Sequence, residues 1–373
     1  MNVLVLNPGA RLLDFALYSG NGSVPLKKGR VADYRGAERC RAALEKAAQA
    51  CMEGVPAETP DWGWGVRIPF GGTLFTRPVP LDREIIAALE TLAPLAPLHL
   101  PAIIELLGVL LDEYAAHPAI LVFETAFFAA LPQREASYAL NAELMETRAL
   151  RRFGHHGLFH QAACAHARRL RKTGNAAAAP RLLSICLDRQ PELAAVIRDR
   201  PVMVTGGLTP LEGLPGQTTC GELDPGIVIS LSDKMKWGPE RIDAVLTRES
   251  GLLGLTGERT TLDELLTSER YEGSPGREVM KYRLLLACGA GIAAMGGLSH
   301  IVFSGRYAGI GETIGPELIS KLTAKKQTAP EQIQWHCFRS PLERIVADHA
   351  MRTLFALHAR ETTGPSSRKT SRV

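Results

Sequence analysis

The 373-residue sequence has no Cys-x-x-Cys pair: its seven cysteines (Cys40, Cys51, Cys164, Cys186, Cys220, Cys288, Cys337) are scattered singly. That spacing excludes a disulfide framework and a zinc ribbon, and reads as reduced thiols in a cytoplasmic protein. Charge of one sign is lacking too, since Lys+Arg 43 against Asp+Glu 39 leaves a formal net charge of +4. So even a balance argues against a phosphate-backbone partner held by a basic surface. Aromatics make up only 6% and apolar residues 46%, the composition of a soluble globular chain long enough for two domains. The start, MNVLVLNPGA, has no basic segment followed by a long apolar one, so no signal peptide is expected. The one long uncharged stretch, Leu284 to Gly305, is interrupted at Gly296-Gly297 and reads as a buried helix, a turn and a strand at His300 to Ser304, not as a membrane span.

What is present alternates between short apolar runs and helical patterns. Val3 to Leu6 and Leu12 to Tyr18, separated by a turn at Asn7-Pro8-Gly9, read as a strand hairpin. Ile85, Ile86, Leu89 and Leu92 recur at helical spacing, a Pro-rich bend follows from Pro94 to Pro101, and a second helix begins near Ile103. Strands are expected at Ala119 to Phe123 and Leu182 to Leu187, helices from His160 to Leu170 and Pro341 to Arg360, and an exposed loop over 172–180. This is an α/β signature, and the apolar strands near Val3 and Leu182, half a chain apart, suggest a duplicated two-lobe core. The expected boundaries are a first lobe over 1–150 with the helix at about 341–360 packed back on it, a second lobe over 151–340, and a disordered polar tail over 361–373.

Several residues are candidates for chemistry. Asn7-Pro8-Gly9 after a buried strand is a turn whose glycine admits a ligand to the backbone, or a plain hairpin turn. Arg67, near Gly71-Gly72, offers a rigid fork of donors to an anion, or satisfies carbonyls. Glu124 stands among apolar neighbours at a strand end, where desolvation readies a carboxylate for metal or proton work, or where it caps a helix. His155, His156 and His160 form the densest polar cluster; without a glutamate or cysteine to complete a ligand set they make a poor zinc site. Loops at Gly206–Gly213 and Cys220–Pro225 read as pocket walls, and Ser250–Gly254 and Ala308–Glu312 as glycine loops that expose N–H groups to phosphate, or as turns.

In order, the segments VLVLNPG, VFETAF, RRFGHHGLFH, GLTPLEGL, GELDP, SGLLGLTG and AAMGGLSHIVFSG resemble the acetate and propionate kinase family, from Met1 to about Arg360. The resemblance implies a two-lobe actin-like α/β fold with a duplicated core and an interlobe cleft, a homodimer formed through the second lobe, and ATP- and magnesium-dependent phosphorylation of a short carboxylate. It places Asn7 in the first phosphate loop, Arg67 as an anion-binding arginine, Glu124 at the acidic catalytic position, and His156 at the transition-state histidine. Glu124 replaces an aspartate, and its extra methylene moves the carboxylate by more than about 1 Å. The acyl pocket falls on Pro69, Leu98, His155 and Pro210, with Pro69 and His155 making it more polar. Gly309 and Gly311 stand for the nucleotide loop, unless that loop aligns with 305–308 and is lost. Glu124 and Glu343 are the metal candidates, with Glu222 or Asp224 as replacements.

Other positions depart from the family. Ala10-Arg11-Leu12-Leu13-Asp14 replaces a serine-rich loop ending in lysine, deletes hydroxyl donors and places an anion where a cation stands, so it is expected to repel phosphate. Cys186-Leu187-Asp188-Arg189-Gln190 replaces a second phosphate loop and has no glycine. Thr219 stands at a catalytic arginine, a loss on the order of 10³ in rate. Thr260–Asp263 replaces a nucleoside contact, and Leu342 the magnesium-linked glutamate before Glu343. Arg11 and Arg189 are the available compensating cations. Three functions remain: a divergent phosphotransferase, a catalytically inactive pseudokinase that binds or scaffolds, and a zinc hydrolase on the three histidines.

Overall fold

The computed structural model describes residues 1–20, 22–52, 62–147, 150–171, 180–323 and 333–362. Of the tail expected over 361–373, residues 361–362 instead end the helix Leu342–Thr362 and 363–373 lie outside the described residues, as do 172–179 of the loop expected over 172–180. The chain divides into two compact units, one of Met1–Ala126 with Leu342–Val373 and the other of Phe127–Pro341. The expected boundary at residue 150 falls inside the second unit, because the chain after β6 already packs there: Leu131 and Ala136 belong to the core that holds Ala194 and Val204.

The first unit is built on a six-stranded sheet. β1 (Asn2–Pro8), β2 (Leu12–Ser19) and β3 (Lys27–Ala32) run antiparallel, while β4 (Trp62–Ile68) and β6 (Ala119–Phe123) continue the sheet parallel to β1, and β5 (Val79–Pro80) pairs antiparallel at the edge. The order is β3-β2-β1-β4-β6-β5. The run VLVL of β1 is buried on both faces, as a central strand requires. The helix Leu342–Thr362 lies on β1, β4 and β6. Its close approach depends on missing side chains: a Cβ on Gly65 would lie 3.0 Å from Ala350 Cβ, and one on Gly63 3.0 Å from Leu354 Cδ1.

The second unit repeats the plan. β7 (Arg181–Cys186), β8 (Glu192–Ile197) and β9 (Arg200–Val204) are antiparallel, and β10 (His300–Ser304) and β11 (Gln334–Cys337) add on parallel to β7. Read from the third antiparallel strand, both sheets run third, second, first, then the parallel strands. β1 and β7, the two strands whose likeness suggested duplication, are topological counterparts. Alternation sorts the side chains: Leu183, Ile185, Leu193, Ala195, Ile301 and Phe303 face one core with Met280, Leu284 and Cys288 of the helix Pro275–Met295. Leu182, Ala194, Val196 and Val302 face the other, with Ala163, Cys164 and Ala167 of the helix Gly157–Arg171.

The uncharged stretch from Leu284 resolves as the sequence suggests. The helix stops at Gly296 in the left-handed conformation (φ 68°), and β10 follows. No described helix is long and apolar enough to cross a membrane. One expectation is corrected: Ser250–Gly254 is not an open glycine loop but the start of the helix Gly251–Thr256, whose Leu252 is fully buried. If the C-terminal helix is a structural part of the first unit, Leu354→Ala, which empties the space beside Gly63, lowers stability by about 2–5 kcal/mol in chemical denaturation.

Candidate functional site

Parallel pairing creates the polar centre of the first unit. Arg67 lies opposite Val122 and Ile68 opposite Phe123, so the ends of β4 and β6 emerge side by side. Arg67 Nε donates to Glu124 Oε1 at 2.7 Å, and the Glu124 side chain is completely buried. A buried carboxylate is tolerable only when paired, and a guanidinium is charged at every working pH. The adjoining turn is fixed to the same corner, because the Gly71 N–H donates to Thr125 Oγ1 at 2.9 Å. Asn7, at the end of β1, donates from Nδ2 to Glu343 Oε1 at 2.8 Å. Burial, helped by Arg352, pushes the His349 imidazole down to about 4 against the opposing pull of Asp348 and Glu124, so it is neutral at pH 7.

Asp14 was expected to repel phosphate, but Arg30 holds it with two bonds, Nε to Oδ1 at 2.5 Å and Nη2 to Oδ2 at 3.0 Å. The pairing of β2 with β3 sets Asp14 opposite Arg30, so the anion is neutralised across the strands.

In the second unit the centre is a carboxylate that motif reading passes over. Glu192 opens β8 and is 3% exposed. It accepts from the His155 N–H at 2.9 Å, from the His156 N–H at 2.9 Å and from His160 Nε2 at 3.2 Å. His160 Nδ1 meets Ser184 Oγ on β7 at 2.7 Å. Since the carboxylate only accepts, His160 carries its proton on Nε2, and in the neutral ring Nδ1 accepts from the serine. Gly206 leaves the room this carboxylate occupies: a Cβ there would fall 2.0 Å from Oε2. Burial raises the Glu192 carboxyl, but the His160 bond and, whenever they carry a second proton, the rings of His156, His160 and His155 outweigh it, leaving it at about 2. Burial pushes His155 down, with Glu192 pulling the other way.

His156 precedes the helix Gly157–Arg171, and its Nε2 lies 2.9 Å from the Gln190 carbonyl oxygen. A carbonyl accepts only, so Nε2 holds the proton; Nδ1 is buried with no partner among the described residues. The 186–190 turn is likewise satisfied internally: Asp188 accepts from the N–H of Arg189 at 2.7 Å and from that of Arg306 at 3.3 Å.

The remaining candidates are divided between the two units. Pro69 is half-buried and Leu98 is 62% exposed in the first unit, while Pro210 is exposed and His155 half-buried in the second. Gly309 precedes the helix Gly311–Thr323, and Gly311 serves packing, since a Cβ there would meet the Phe303 ring at 2.5 Å. Glu312 accepts from Arg339 at 2.6 Å. Thr261 caps the helix Leu262–Thr267, and Asp224 accepts from the Gly226 N–H at the head of its own helix. Thr219 Oγ1 is buried without a partner among the described residues. No three or more His, Cys, Asp or Glu groups gather as a metal set among the described residues. The three histidines therefore fail the zinc-hydrolase reading: the ring of His156 is turned to a carbonyl and that of His160 to Ser184 and Glu192.

A carboxyl held at about 2 against an ordinary value of 4.5 stabilises the fold fully above about pH 4.5, and that stability is lost as pH falls toward 2. In urea unfolding followed against pH, the acid loss of stability is expected to be shallower in Glu192→Gln than in the wild type. Identical acid limbs would contradict the assignment.

Comparison with known proteins agrees on kinship. The Acetokinase family model matches residues 57–323. The acetate kinase of Rhodopseudomonas palustris (strain ATCC BAA-98 / CGA009) is 36% identical over 248 residues, 66% of this chain and 61% of that protein. That of Pseudomonas aeruginosa (strain LESB58) is 35% identical over 254 residues, 67% of this chain and 63% of that protein. The chain thus spans under two thirds of the length of these relatives. The crystal structure of Porphyromonas gingivalis acetate kinase superposes with a TM-score of 0.81 at 24% identity, covering 95% of this chain and 99% of that one. A propionate kinase from Francisella tularensis gives 0.78 at 23%, covering 94% and 99%. The fold is the actin-like α/β fold of acetate kinases, and the chain belongs to the Acetokinase family.

Proposed function

We propose that the protein is an acetate-kinase-like phosphotransferase: a carboxylate oxygen of a short-chain acid attacks the γ-phosphorus of ATP, the bond to the bridging oxygen breaks, and an acyl phosphate and ADP leave. The observation that carries this reading is the Arg67–Glu124 pair, a buried carboxylate and an always-charged fork held 2.7 Å apart at two parallel strand ends. Transfer of a phosphoryl group depends on positioned cations and donors, and Arg67 supplies both. In this reading His156 is the transition-state donor, and Pro69, Leu98, His155 and Pro210 surround the acyl group. The family's cytoplasmic homodimer, with a small carboxylate and a nucleotide as partners and neither nucleic acid nor membrane, belongs to the same proposal.

ATP supplies the phosphoryl group when bound, and magnesium neutralises its charge. Magnesium asks for one or two carboxylates, with phosphate and water completing the shell; in this reading they would be Glu343, which accepts from Asn7, and Glu124, which would have to share its carboxylate with Arg67. The 186–190 turn fits a phosphate poorly, because it has no glycine and Asp188 accepts from its Arg189 N–H and from the Arg306 N–H after β10; no step is assigned to it.

A second reading, a non-catalytic binding or scaffolding protein of the same fold, draws on His156: with Nε2–H directed to the Gln190 carbonyl, the neutral ring offers no donor to a phosphoryl oxygen. Hydroxylamine trapping of acyl phosphate with acetate or propionate, ATP and magnesium separates the two. The first reading expects hydroxamate, falling by about 10²–10³ in Arg67→Ala and His156→Ala. Unchanged rates in those variants overturn the assigned roles. An absence of hydroxamate together with no thermal stabilisation by ATP and magnesium favours the second reading.

A further inference from the structure

Positive charge in the second unit gathers at one end of its sheet. The β8–β9 hairpin closes on Arg198 and Asp199, since Ile197 pairs with Arg200. Arg181, the first residue of β7, also pairs with Ile197. Arg181 and Arg200 therefore flank Ile197 about 10 Å apart, two strand spacings, on the face that packs against the helix Pro275–Met295. On the opposite face the helix Gly157–Arg171 brings Arg168 and Arg169 in its last turn, and Arg168 Nη2 donates to Asp199 Oδ2 at 2.5 Å. The five arginines form a band across the sheet end, from one helix layer over the hairpin tip to the other, and all are exposed.

Acids are missing from the elements that build this end. No Asp or Glu occurs between Glu146 and Asp188 or between Glu278 and Glu312, which takes in the helix Gly157–Arg171, β7, β10 and nearly all of the helix Pro275–Met295. Asp199 is the only acid between Glu192 and Glu212. Among the described residues it pairs with Arg168, while Arg169, Arg181, Arg198 and Arg200 have no carboxylate partner. Five cations less one anion equal the whole formal net charge of +4, so the rest of the chain is balanced. The hairpin also holds its charge at a cost. Arg198 (φ 52°) and Asp199 (φ 61°) both lie in the left-handed region, in a two-residue turn that Asn-Gly fills with less strain. The strain is kept at the residues that carry the charge.

We propose that this band is a docking surface for an acidic segment of another protein, an extended stretch bearing several Asp or Glu side chains. Each arginine presents a fork of donors that a carboxylate takes as a bidentate pair. About six extended residues span about 20 Å, enough to run from one helix layer over the hairpin tip to the other. A nucleic-acid strand or an anionic membrane would continue past the band onto surface with no further excess of cations, so a short acidic segment is the partner its extent fits. None of the five arginines is assigned to phosphoryl transfer, so the surface stands or falls apart from the kinase reading.

The test is fluorescence anisotropy of a labelled hexaglutamate peptide titrated with the full chain at about 20 mM salt, with hexaglutamine, a thymidine dodecanucleotide and phosphatidylserine vesicles as comparisons. Saturable hexaglutamate binding is expected, at least about tenfold weaker at about 150 mM salt, with no hexaglutamine binding and weaker binding to the oligonucleotide and the vesicles. Arg198→Asn is expected to weaken hexaglutamate binding at least about threefold while raising the thermal midpoint, because asparagine relieves the left-handed strain. Arg198→Asn/Arg200→Ala is expected to lose at least about tenfold, and Arg83→Ala, an exposed arginine of the first unit, nothing. Absence of saturable hexaglutamate binding, tighter binding to the oligonucleotide or the vesicles, wild-type affinity in the double variant, or a lowered midpoint in Arg198→Asn overturns the proposal.

Discussion

A carboxylate withdrawn from water must find donors, and the second unit is arranged around that demand at Glu192. Its partners come from three places in the chain: the backbone just before the helix Gly157–Arg171, the ring of His160 one turn inside it, and, through that ring, Ser184 on β7. The Gly206 loop closes over it because any side chain there would collide with the carboxylate. Removing one partner of such a group leaves a charge unpaired, so strand, helix and loop hold one another in register. The same logic governs Glu124 in the first unit, where the partner is Arg67.

The two units also share a manner of departing from an anion-binding design. Each sheet begins with a hairpin whose turn would offer N–H groups to a ligand if it were rich in glycine. In the first unit Asp14 is paired with Arg30; in the second Asp188 accepts from the Arg189 and Arg306 N–H groups, and the Gln190 carbonyl accepts from His156 Nε2. Donors that a phosphate would use are spent within the chain.

Local pattern carried much of the fold. β6, β7 and β10 are uninterrupted apolar runs, and the helices at Arg83–Leu92 and Gly157–Arg171 show one apolar face, so each is legible from its own residues. β3 and β9 were not. β3 reads KKGRVA, an edge strand with four of its six residues exposed, and β9 holds Pro201 beside an irregular pairing, both tolerated at an edge where hydrogen bonds are not all required. The site was legible in identities more than in partnerships. Arg67, Glu124 and His156 stand out in ordered motifs, but the bond between the first two spans 57 positions and exists only because β4 and β6 pair. Glu192 carries no motif at all; a lone acid at the head of the apolar run ELAAVI was its one signal.

The ionised state of Glu192 is the claim on which this account of the second unit rests. A carbon-detected NMR titration of the glutamate carboxyls, with the Glu192 resonance identified by its absence in Glu192→Gln, reads it directly. The account predicts one glutamate that stays ionised down to about pH 2 while the fold persists. A Glu192 resonance that titrates near 4.5 with its exposed counterparts would contradict it.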